Sequence, residues 1–163
     1  MGNESGIIKA IVVTVSDTRH KDDDMSGVSL VGLLIGIGAE VIDKIIIKDD
    51  FETLRNVLYG LTEREDVNLV ITTGGTGLAE RDNTPEATRA VIVKEVPGLS
   101  EVMRAETLKH TPLASLSRGV CGIRHNTLIV NLPGSPKAVV ECFEVIRGVL
   151  PHAINLLVGK TEH

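Results

Sequence analysis

Residues 67–87 read VNLVITTGGTGLAERDNTPEA, and three patterns in this stretch predict the class of fold. Residues 67–73 are apolar at nearly every position, which is typical of a strand buried on both faces of a parallel sheet. A glycine-rich turn follows this strand. Thr84 and Pro85 then begin a pattern typical of a capped helix with proline at its first position. A strand, a glycine turn and a helix in this order form one unit of an α/β sheet.

The same alternation of strand and helix patterns continues along the whole chain. Further strands are predicted at residues 7–15, 41–47 and 127–131, and further helices at residues 28–39, 51–61, 99–110, 149–158 and from Ser135 onward. No Pro/Gly-rich linker divides the 163 residues, which is the length of one ordinary domain. We therefore predict a single domain over residues 1–163, an α/β three-layer sandwich with a mostly parallel, Rossmann-like sheet and helices on both faces.

The composition excludes several classes of protein. Hydrophobic residues make up 42% and charged residues 24% of the chain, which excludes a disordered tail and a coiled coil. Aromatic residues are only 2%, too few for the stacking platforms that bind single-stranded nucleic acid. The net charge of -5 disfavours duplex DNA, because DNA-binding surfaces are basic. We expect a core of Val, Ile, Leu and Ala, and no nucleic-acid partner.

Cysteines, histidines and apolar runs give expectations about metals and membranes. Cys121 and Cys142 are too far apart for a zinc knuckle or a redox pair, so we expect two buried or half-buried thiols. The five histidines show no metal-ligand spacing, which argues against zinc. No apolar run approaches the ~18 residues of a membrane span, and residues 1–5 show no signal-peptide pattern. We expect a cytoplasmic protein with no membrane partner.

Small and polar residues follow four of the predicted strands, at the point where each strand ends. Because the carboxyl ends of parallel strands share one edge of the sheet, and ligands bind there, these four loops define the candidate site. The candidate ligand-binding residues are Ser16 and Asp17 after the first strand, Thr73, Gly74, Gly75, Thr76 and Gly77 after the third, and Pro133, Gly134 and Ser135 after the fourth.

The glycine loop is the most informative of these connections. Gly74, Gly75 and Gly77 let backbone N–H groups approach an anion without an intervening side chain. The loop also leads into a helix, whose N-terminus favours negative charge. The P-loop pattern Gly-x-x-x-x-Gly-Lys-Ser/Thr is absent. The dinucleotide fingerprint, counted from Gly75, fits at Gly77 but has Glu80 at its third glycine position. We interpret the glycine loop as a phosphate-binding loop, and a turn that needs glycine for its geometry alone stays open.

The fourth loop repeats the arrangement of a strand, a turn and a capped helix. Ser135 is the predicted helix cap, and Pro136 occupies the first helical position. Lys137 lies in the first turn, where its charge opposes the helix dipole. A phosphate bound near Lys137 would explain this position, and a solvated lysine is the alternative.

Three of the loops carry aspartates, which repel a phosphate unless a cation intervenes. Mg²⁺ held by one or two carboxylates and by the phosphates of a ligand resolves this conflict. Asp49 and Asp82 are the candidate metal ligands, because both are predicted at the edge that holds the glycine loop. Asp50 is better explained as the cap of the helix that begins near Phe51.

Other charged residues are less informative. Residues 21–24, KDDD, predict an exposed loop. The arginines that could balance the charge of an anionic ligand, among which sequence spacing does not choose, are Arg19, Arg81, Arg118 and Arg124.

Residues 73–87, TGGTGLAERDNTPEA, strongly resemble a signature of the MogA/MoaB family of molybdenum cofactor biosynthesis proteins. Residues 132–138, LPGSPKA, resemble the second signature of that family. Residues 15–19, VSDTR, and 23–27, DDMSG, resemble its MoaB-like branch, and the resemblance extends over nearly the whole chain. Met25 is a departure, because the branch commonly has threonine there, so the loop lacks one hydroxyl.

The resemblance implies an activity, a fold and an assembly. Catalytic members of the family are molybdopterin adenylyltransferases, which join molybdopterin to the AMP part of ATP with Mg²⁺ and release pyrophosphate. Their product passes to a separate molybdenum-insertion protein, and the members are α/β proteins that form homotrimers or hexamers. By the same resemblance, the catalytic residues are Asp49 and Asp82, the loop that contacts the anionic ligand contains Gly74, Gly75, Thr76 and Gly77, and the second signature contains Ser135 and Lys137.

Two other functions stay open from the sequence. The chain could be a non-catalytic molybdopterin carrier or scaffold, which missing aspartates would favour, but both aspartates are present. It could also be a different phosphate-ligand enzyme of the same α/β class, which the number and length of the matching signatures disfavour.

Overall fold

The computed structural model describes residues 6–160, and its centre is a mixed sheet. In this part of the chain the strands are β1 Lys9–Val15, β2 Glu40–Ile47, β3 Leu69–Thr73, β4 Lys94–Glu95, β5 Cys121–Arg124 and β6 Thr127–Leu132. They lie in the order β2-β1-β3-β6-β5-β4. Strands β2, β1, β3 and β6 are parallel to one another, whereas β5 is antiparallel to β6 and β4 is antiparallel to β5. The prediction of a mostly parallel α/β sheet is confirmed.

Helices cover both faces of this sheet. Among the described residues they are α1 Met25–Gly36, α2 Phe51–Thr62, α3 Thr84–Arg89, α4 Pro97–Thr107, α5 Pro136–Ile146 and α6 Leu150–Leu157, with a 3-10 helix at Pro112–Leu116. Apolar side chains of α1, α4, α5 and α6 form a core on one face, and those of α2 and α3 form a second core on the other. The predicted three-layer arrangement is therefore confirmed.

The core is aliphatic, as the composition predicts. Successive residues of a strand point to opposite faces. In β1, Val12 accordingly belongs to the core of α1 and α5, and Val13 belongs to the core of α2. Cys121 and Cys142 are free and buried, as expected. Burial raises the pKa of the Cys142 thiol to about 11, which keeps it protonated at neutral pH.

The start of α1 differs from the sequence prediction. The helix begins at Met25 rather than at residue 28, and the expectation that residues 21–24 are all exposed is wrong for Asp24. The buried Asp24 carboxylate accepts hydrogen bonds from Thr14 Oγ1 at 2.7 Å, Lys44 Nζ at 2.9 Å and Gly27 N at 3.1 Å. Burial opposes ionisation, but these hydrogen bonds outweigh it and lower the pKa of Asp24. A buried aspartate that caps a helix resembles an exposed one in sequence.

The antiparallel edge formed by β4 and β5 lies outside the predicted strands. β4 has two residues and β5 has four, and β5 contains Gly122. A Cβ at Gly122 would overlap the Ile92 side chain and lie 2.8 Å from the Lys94 carbonyl oxygen. Such short segments carry too little apolar alternation to be recognised as strands.

The expectations about membranes and the chain start are tested only in part. No helix within residues 6–160 is long and apolar enough to cross a membrane. The signal-peptide expectation concerns residues 1–5, which lie outside the described residues.

Candidate functional site

The loops that follow β1, β2, β3 and β6 meet at one edge of the sheet. Ser16 N donates to Ile47 O at 2.9 Å, which joins the ends of β1 and β2. Thr73 Oγ1 donates to Pro133 O at 2.8 Å, which joins the ends of β3 and β6. A Cβ at Gly134 would lie 3.3 Å from the Cα of Gly74 in the glycine loop. The parallel topology thus brings the four predicted loops together.

The glycine loop has a backbone that requires glycine. Gly74 has φ +101° and Gly75 has φ +67°, values that L side chains rarely adopt. A Cβ at Gly74 would overlap the carbonyl oxygen of Val15. A Cβ at Gly75 would overlap Thr84 Oγ1 and lie 2.9 Å from Asp49 Oδ2. Packing geometry therefore accounts for these two glycines, independently of any ligand.

Thr84 ties the start of α3 to the glycine loop. Its amide donates to Gly75 O at 3.1 Å and its hydroxyl donates to Gly74 O at 3.0 Å. The predicted role of Thr84 as helix cap is wrong by one residue, since Asn83 is the N-cap and Thr84 is the first residue of α3. The hydroxyl binds the preceding loop instead of the helix.

Asp49 lies buried against the glycine loop. Its Oδ1 accepts from the Asn83 amide at 3.1 Å, and only 8% of the residue is exposed. Burial raises the pKa of Asp49, and the negative charges of Asp82 and Asp17 add to this effect, against the hydrogen bond from Asn83. A carboxylate with this perturbed pKa beside two others is typical of a functional site.

Asp82 approaches the other end of the same loop. Its Oδ2 accepts from the Ala79 amide at 3.0 Å and would lie 2.8 Å from a Cβ at Gly77. The absence of side chains at Gly75 and Gly77 therefore lets both carboxylates pack closely against the loop. The structure brings Asp49 and Asp82 together around the loop, as the sequence predicts.

The donor set is compatible with a hard divalent cation that a ligand helps to hold. No group of three or more His, Cys, Asp and Glu side chains within residues 6–160 is placed to hold a metal ion. Mg²⁺, however, is commonly bound by one or two carboxylates together with substrate phosphates. Asp49 and Asp82, two carboxylates that pack against the glycine loop, fit that requirement.

The four candidate arginines have different partners in the structure. Arg81 Nε pairs with Asp17 Oδ2 at 2.8 Å, so the Asp17 carboxylate is engaged by a cation rather than free. Arg118 donates to carbonyl oxygens of the segment that contains the glycine loop. Arg124 lies elsewhere, since it stacks over the Tyr59 ring at 4.1 Å and pairs with a glutamate of the α2 end.

Arg19 joins the first loop to the fourth. Its guanidinium donates to Gly134 O at 3.0 Å and to Ser26 Oγ at 3.0 Å, and the Ser26 hydroxyl donates to the same carbonyl at 2.7 Å. Ser16 Oγ accepts from the amides of Arg19 and Thr18, at 3.1 and 3.2 Å. Ser16 and Gly134, both predicted to bind ligand, thus shape the loops through local hydrogen bonds.

The two candidates at the start of α5 have different surroundings. Ser135 Oγ accepts from Ala138 N at 3.1 Å and caps α5, as predicted. The Lys137 side chain is 84% exposed, and its Nζ lies 3.9 Å from Glu141 Oε1. A phosphate contact of Lys137 stays a prediction.

An apolar pocket adjoins the glycine loop and the fourth loop. Its volume is about 340 Å³, and it extends from Gly77 and Pro133 to α4, α5 and the 3-10 helix. The apolar side chains that line it include Met103, Leu113 and Leu116. Leu113 is 69% exposed. The sequence does not reveal this pocket, because its walls come from elements far apart in the chain.

The fold and the site define a class of protein. A mostly parallel α/β sheet with a glycine loop, two carboxylates and a pocket at its carboxyl edge is an arrangement typical of proteins that bind small anionic ligands. The family described as probable molybdopterin binding domain matches residues 11–152, and the chain belongs to this family. The predicted membership in a family of molybdenum cofactor biosynthesis is confirmed.

Similar proteins support this membership. The chain is 46% identical over 151 residues to the molybdenum cofactor synthesis protein cinnamon of Drosophila melanogaster, covering 90% of this chain and 25% of that protein. It is 44% identical over 115 residues to the molybdopterin adenylyltransferase of Helicobacter pylori strain J99, covering 71% of this chain and 65% of that protein. The chain spans less than two thirds of the length of each of these relatives.

A solved structure shows the same fold. The crystal structure of the molybdopterin biosynthesis enzyme MoaB from Thermus thermophilus has a TM-score of 0.86 and 44% sequence identity to this chain. The match covers 94% of this chain and 98% of that one. The architecture described above is therefore that of a solved member of the family.

Proposed function

We propose that this chain is a molybdopterin adenylyltransferase, acting in molybdenum cofactor biosynthesis with Mg²⁺. The observation that supports this most directly is the placement of Asp49 and Asp82 on either side of the glycine loop. Related proteins named molybdopterin adenylyltransferase, at 42–46% identity, support the choice of reaction.

The proposed reaction needs no protein nucleophile. A terminal phosphate oxygen of molybdopterin forms a bond to the α-phosphorus of ATP, and the bond between that phosphorus and the bridging oxygen breaks. Pyrophosphate leaves with the electron pair of the broken bond. Catalysis of this kind rests on positioning and on electrostatic stabilisation.

The residues of the site have separate parts in this scheme. Asp49 and Asp82 would hold Mg²⁺, which when bound would screen the negative charges that must approach one another. Backbone N–H groups of the loop formed by Gly74, Gly75, Thr76 and Gly77 stabilise phosphoryl oxygens. The Arg81 guanidinium neutralises Asp17, which lessens the repulsion between that carboxylate and an incoming phosphate.

The apolar pocket beside Gly77 and Pro133 suits the ring system of one of the two substrates. Its volume of about 340 Å³ lies within the range of small-molecule sites. A heterocycle placed there lies next to the glycine loop, because Gly77 belongs both to the loop and to the pocket wall. We propose this pocket as the ring-binding part of the site.

A non-catalytic carrier or scaffold is the second candidate function. It is favoured by the hydrogen bonds of the two carboxylates, because Asp49 accepts from Asn83 N and Asp82 accepts from Ala79 N. These contacts give both aspartates a role in shaping the loops even without a metal. Such a protein would bind molybdopterin and produce no adenylylated product.

Adenylyl transfer is the experiment that separates the two functions. Molybdopterin and Mg-ATP are incubated with the wild type, Asp82→Asn and Asp49→Asn, and adenylylated molybdopterin is detected directly. Asp50→Asn is a matched control, because Asp50 only caps α2 through Thr53 and asparagine caps helices equally well. We expect product from the wild type and the control, and a loss of about 100-fold or more in each site variant. Molybdopterin binding without product in the wild type would establish the carrier function instead.

The assembly and the cellular context are also proposals. We propose that the chain is a single molybdopterin-binding domain that forms a homotrimer or hexamer in the cytoplasm and delivers its product to a molybdenum-insertion protein. Exposed apolar side chains such as Val28 and Ile35 on α1 support a symmetric interface. Light scattering of the purified protein tests the assembly.

A further inference from the structure

Arg118 joins the glycine loop, the following segment and α3. Its Nε donates to Gly77 O at 2.8 Å, and its Nη2 donates to Asp82 O at 2.8 Å. Its backbone amide donates to Thr76 O at 2.9 Å. Its Nη1 pairs with Glu86 in the first turn of α3. A residue from the segment before β5 thus connects several parts of the candidate site.

The geometry of the guanidinium explains why arginine stands here. Nε and Nη2 lie on the same edge of a rigid planar group, so the two carbonyl oxygens that they bind are held at a fixed separation. These carbonyls belong to Gly77 and Asp82, which enclose the turn between the loop and α3. Lysine, with one nitrogen on a flexible chain, cannot impose the same separation.

The turn itself does not fix this distance. Within it, Asp82 N donates to Ala79 O at 2.9 Å and Asp82 Oδ2 accepts from Ala79 N at 3.0 Å. Both contacts are local and would move with the turn as a unit. Thr84 ties the residues after the turn to Gly75 O, and the link from Asp82 to Gly77 through Arg118 adds a connection across the turn itself.

We propose that Arg118 is a positioning residue, which sets the place of the Asp82 carboxylate relative to the glycine loop. It acts through the backbone of Gly77 and Asp82, and it does not contact the reacting atoms. The catalytic consequence rests on the proposed function, whereas the structural part of the proposal is independent of it.

The chain offers matched variants for a test. Arg118→Lys keeps the positive charge and removes the planar pair of donors Nε and Nη2, and Arg118→Gln removes both. Glu86→Gln removes the ion pair and keeps the contacts of Arg118 with the two carbonyl oxygens. Arg124→Gln is the control, because Arg124 makes a comparable pair with Glu63 away from the glycine loop and is 15% exposed. Hydrogen–deuterium exchange of residues 76–83 reports the position of the turn without any substrate. Steady-state kcat and KM for Mg-ATP report its consequence for the proposed reaction.

The proposal predicts a local and specific result. Exchange in residues 76–83 rises at least about fivefold in Arg118→Lys and Arg118→Gln, and stays at the wild-type rate in Arg124→Gln. Both Arg118 variants lose between about tenfold and 100-fold in kcat, with KM changed less than kcat. Glu86→Gln loses much less than either, because the carbonyl contacts remain.

Other outcomes overturn the inference. Unchanged exchange in residues 76–83 of both Arg118 variants shows that the guanidinium does not hold the turn. A wild-type kcat in Arg118→Lys shows that a positive charge at residue 118 is enough for the activity and that the planar pair of donors is not needed. If the wild type makes no adenylylated product, the proposed function fails, and the exchange experiment still decides whether Arg118 positions Asp82.

Discussion

Replacement of Gly75 by alanine measures how tightly the glycine loop is packed. The residue has φ +67°, and its Cβ would overlap Thr84 Oγ1 and lie 2.9 Å from Asp49 Oδ2. Gly38 is a matched control, because it has φ +82° and nothing lies within 4 Å of its Cβ position. Alanine at either site meets the same backbone penalty, and only at Gly75 does it also meet a clash.

The structure gives the size of each contribution. Alanine in the left-handed region costs about 1–2 kcal/mol, and this is the whole effect expected for Gly38→Ala. In Gly75→Ala the Thr84 hydroxyl must turn away from Gly74 O, which loses about 1 kcal/mol. Overpacking against the buried Asp49 adds about 1–3 kcal/mol. We therefore expect Gly75→Ala to lower the free energy of unfolding by about 4 kcal/mol, a fall in Tm of roughly 10 °C.

Urea unfolding of the wild type, both single variants and the double variant Gly75→Ala/Thr84→Ala provides the measurement. Thr84→Ala removes the clashing oxygen, so the double variant should lose at least about 1 kcal/mol less than the two single losses predict. The reasoning is refuted if Gly75→Ala is no less stable than Gly38→Ala, or if the two substitutions at residues 75 and 84 are additive.

Three further predictions concern buried polar groups. Lys44→Met leaves the buried Asp24 carboxylate without its cation and should lower the free energy of unfolding by about 2–3 kcal/mol at pH 7. The control Lys109→Met, at an exposed ion pair, should lower it by less than about 0.5 kcal/mol. The destabilisation by Lys44→Met should shrink at acidic pH, where Asp24 of the variant takes up a proton. Asp49→Asn should be at least as stable as the wild type at pH 7. The pKa of Asp49 is raised in the folded state, so its ionisation destabilises the wild type as the pH rises above the ordinary aspartate pKa. Unfolding curves should therefore show a larger stability difference in favour of the variant at pH 7 than at pH 4. Asn131→Ala should cost about 2–4 kcal/mol in thermal unfolding, because the Val120 amide and the hydroxyls of Thr72 and Thr88 lose a buried partner.

The parts of the fold that the sequence predicts are those whose pattern is local. Long β-branched runs and helix-capping signals lie within single elements, so β1, β3 and α5 follow from their own residues. Gly122 in β5 and the two residues of β4 carry no such pattern, because their strand pairing is decided by neighbours. Chain topology then places the loops correctly even where individual elements are missed.

The residues of the candidate site also differ in whether a local sequence pattern predicts them. Asp49 and Asp82 are predictable, because strand ends of a parallel sheet meet at one edge. The contact of Arg118 with the Asp82 carbonyl oxygen is not predictable, because the two residues are 36 positions apart and the acceptor is a backbone atom. The pocket between α4, α5 and the 3-10 helix is missed for a similar reason, since apolar residues such as Met103 and Leu113 look like ordinary core positions in sequence.

The two interpretations of the glycine loop, geometry or phosphate binding, are not alternatives in this structure. Gly75 has to lack a side chain because Thr84 and Asp49 stand against it, and the same lack brings the loop backbone next to the Asp49 carboxylate. A larger residue would therefore damage folding, and under the proposed function it would damage phosphate binding as well. Asp49 differs from the glycines in this respect, because its raised pKa means that its charge costs stability in the folded chain. The hydrogen bond from Asn83 N could also be accepted by asparagine, so this contact alone does not require a carboxylate at residue 49.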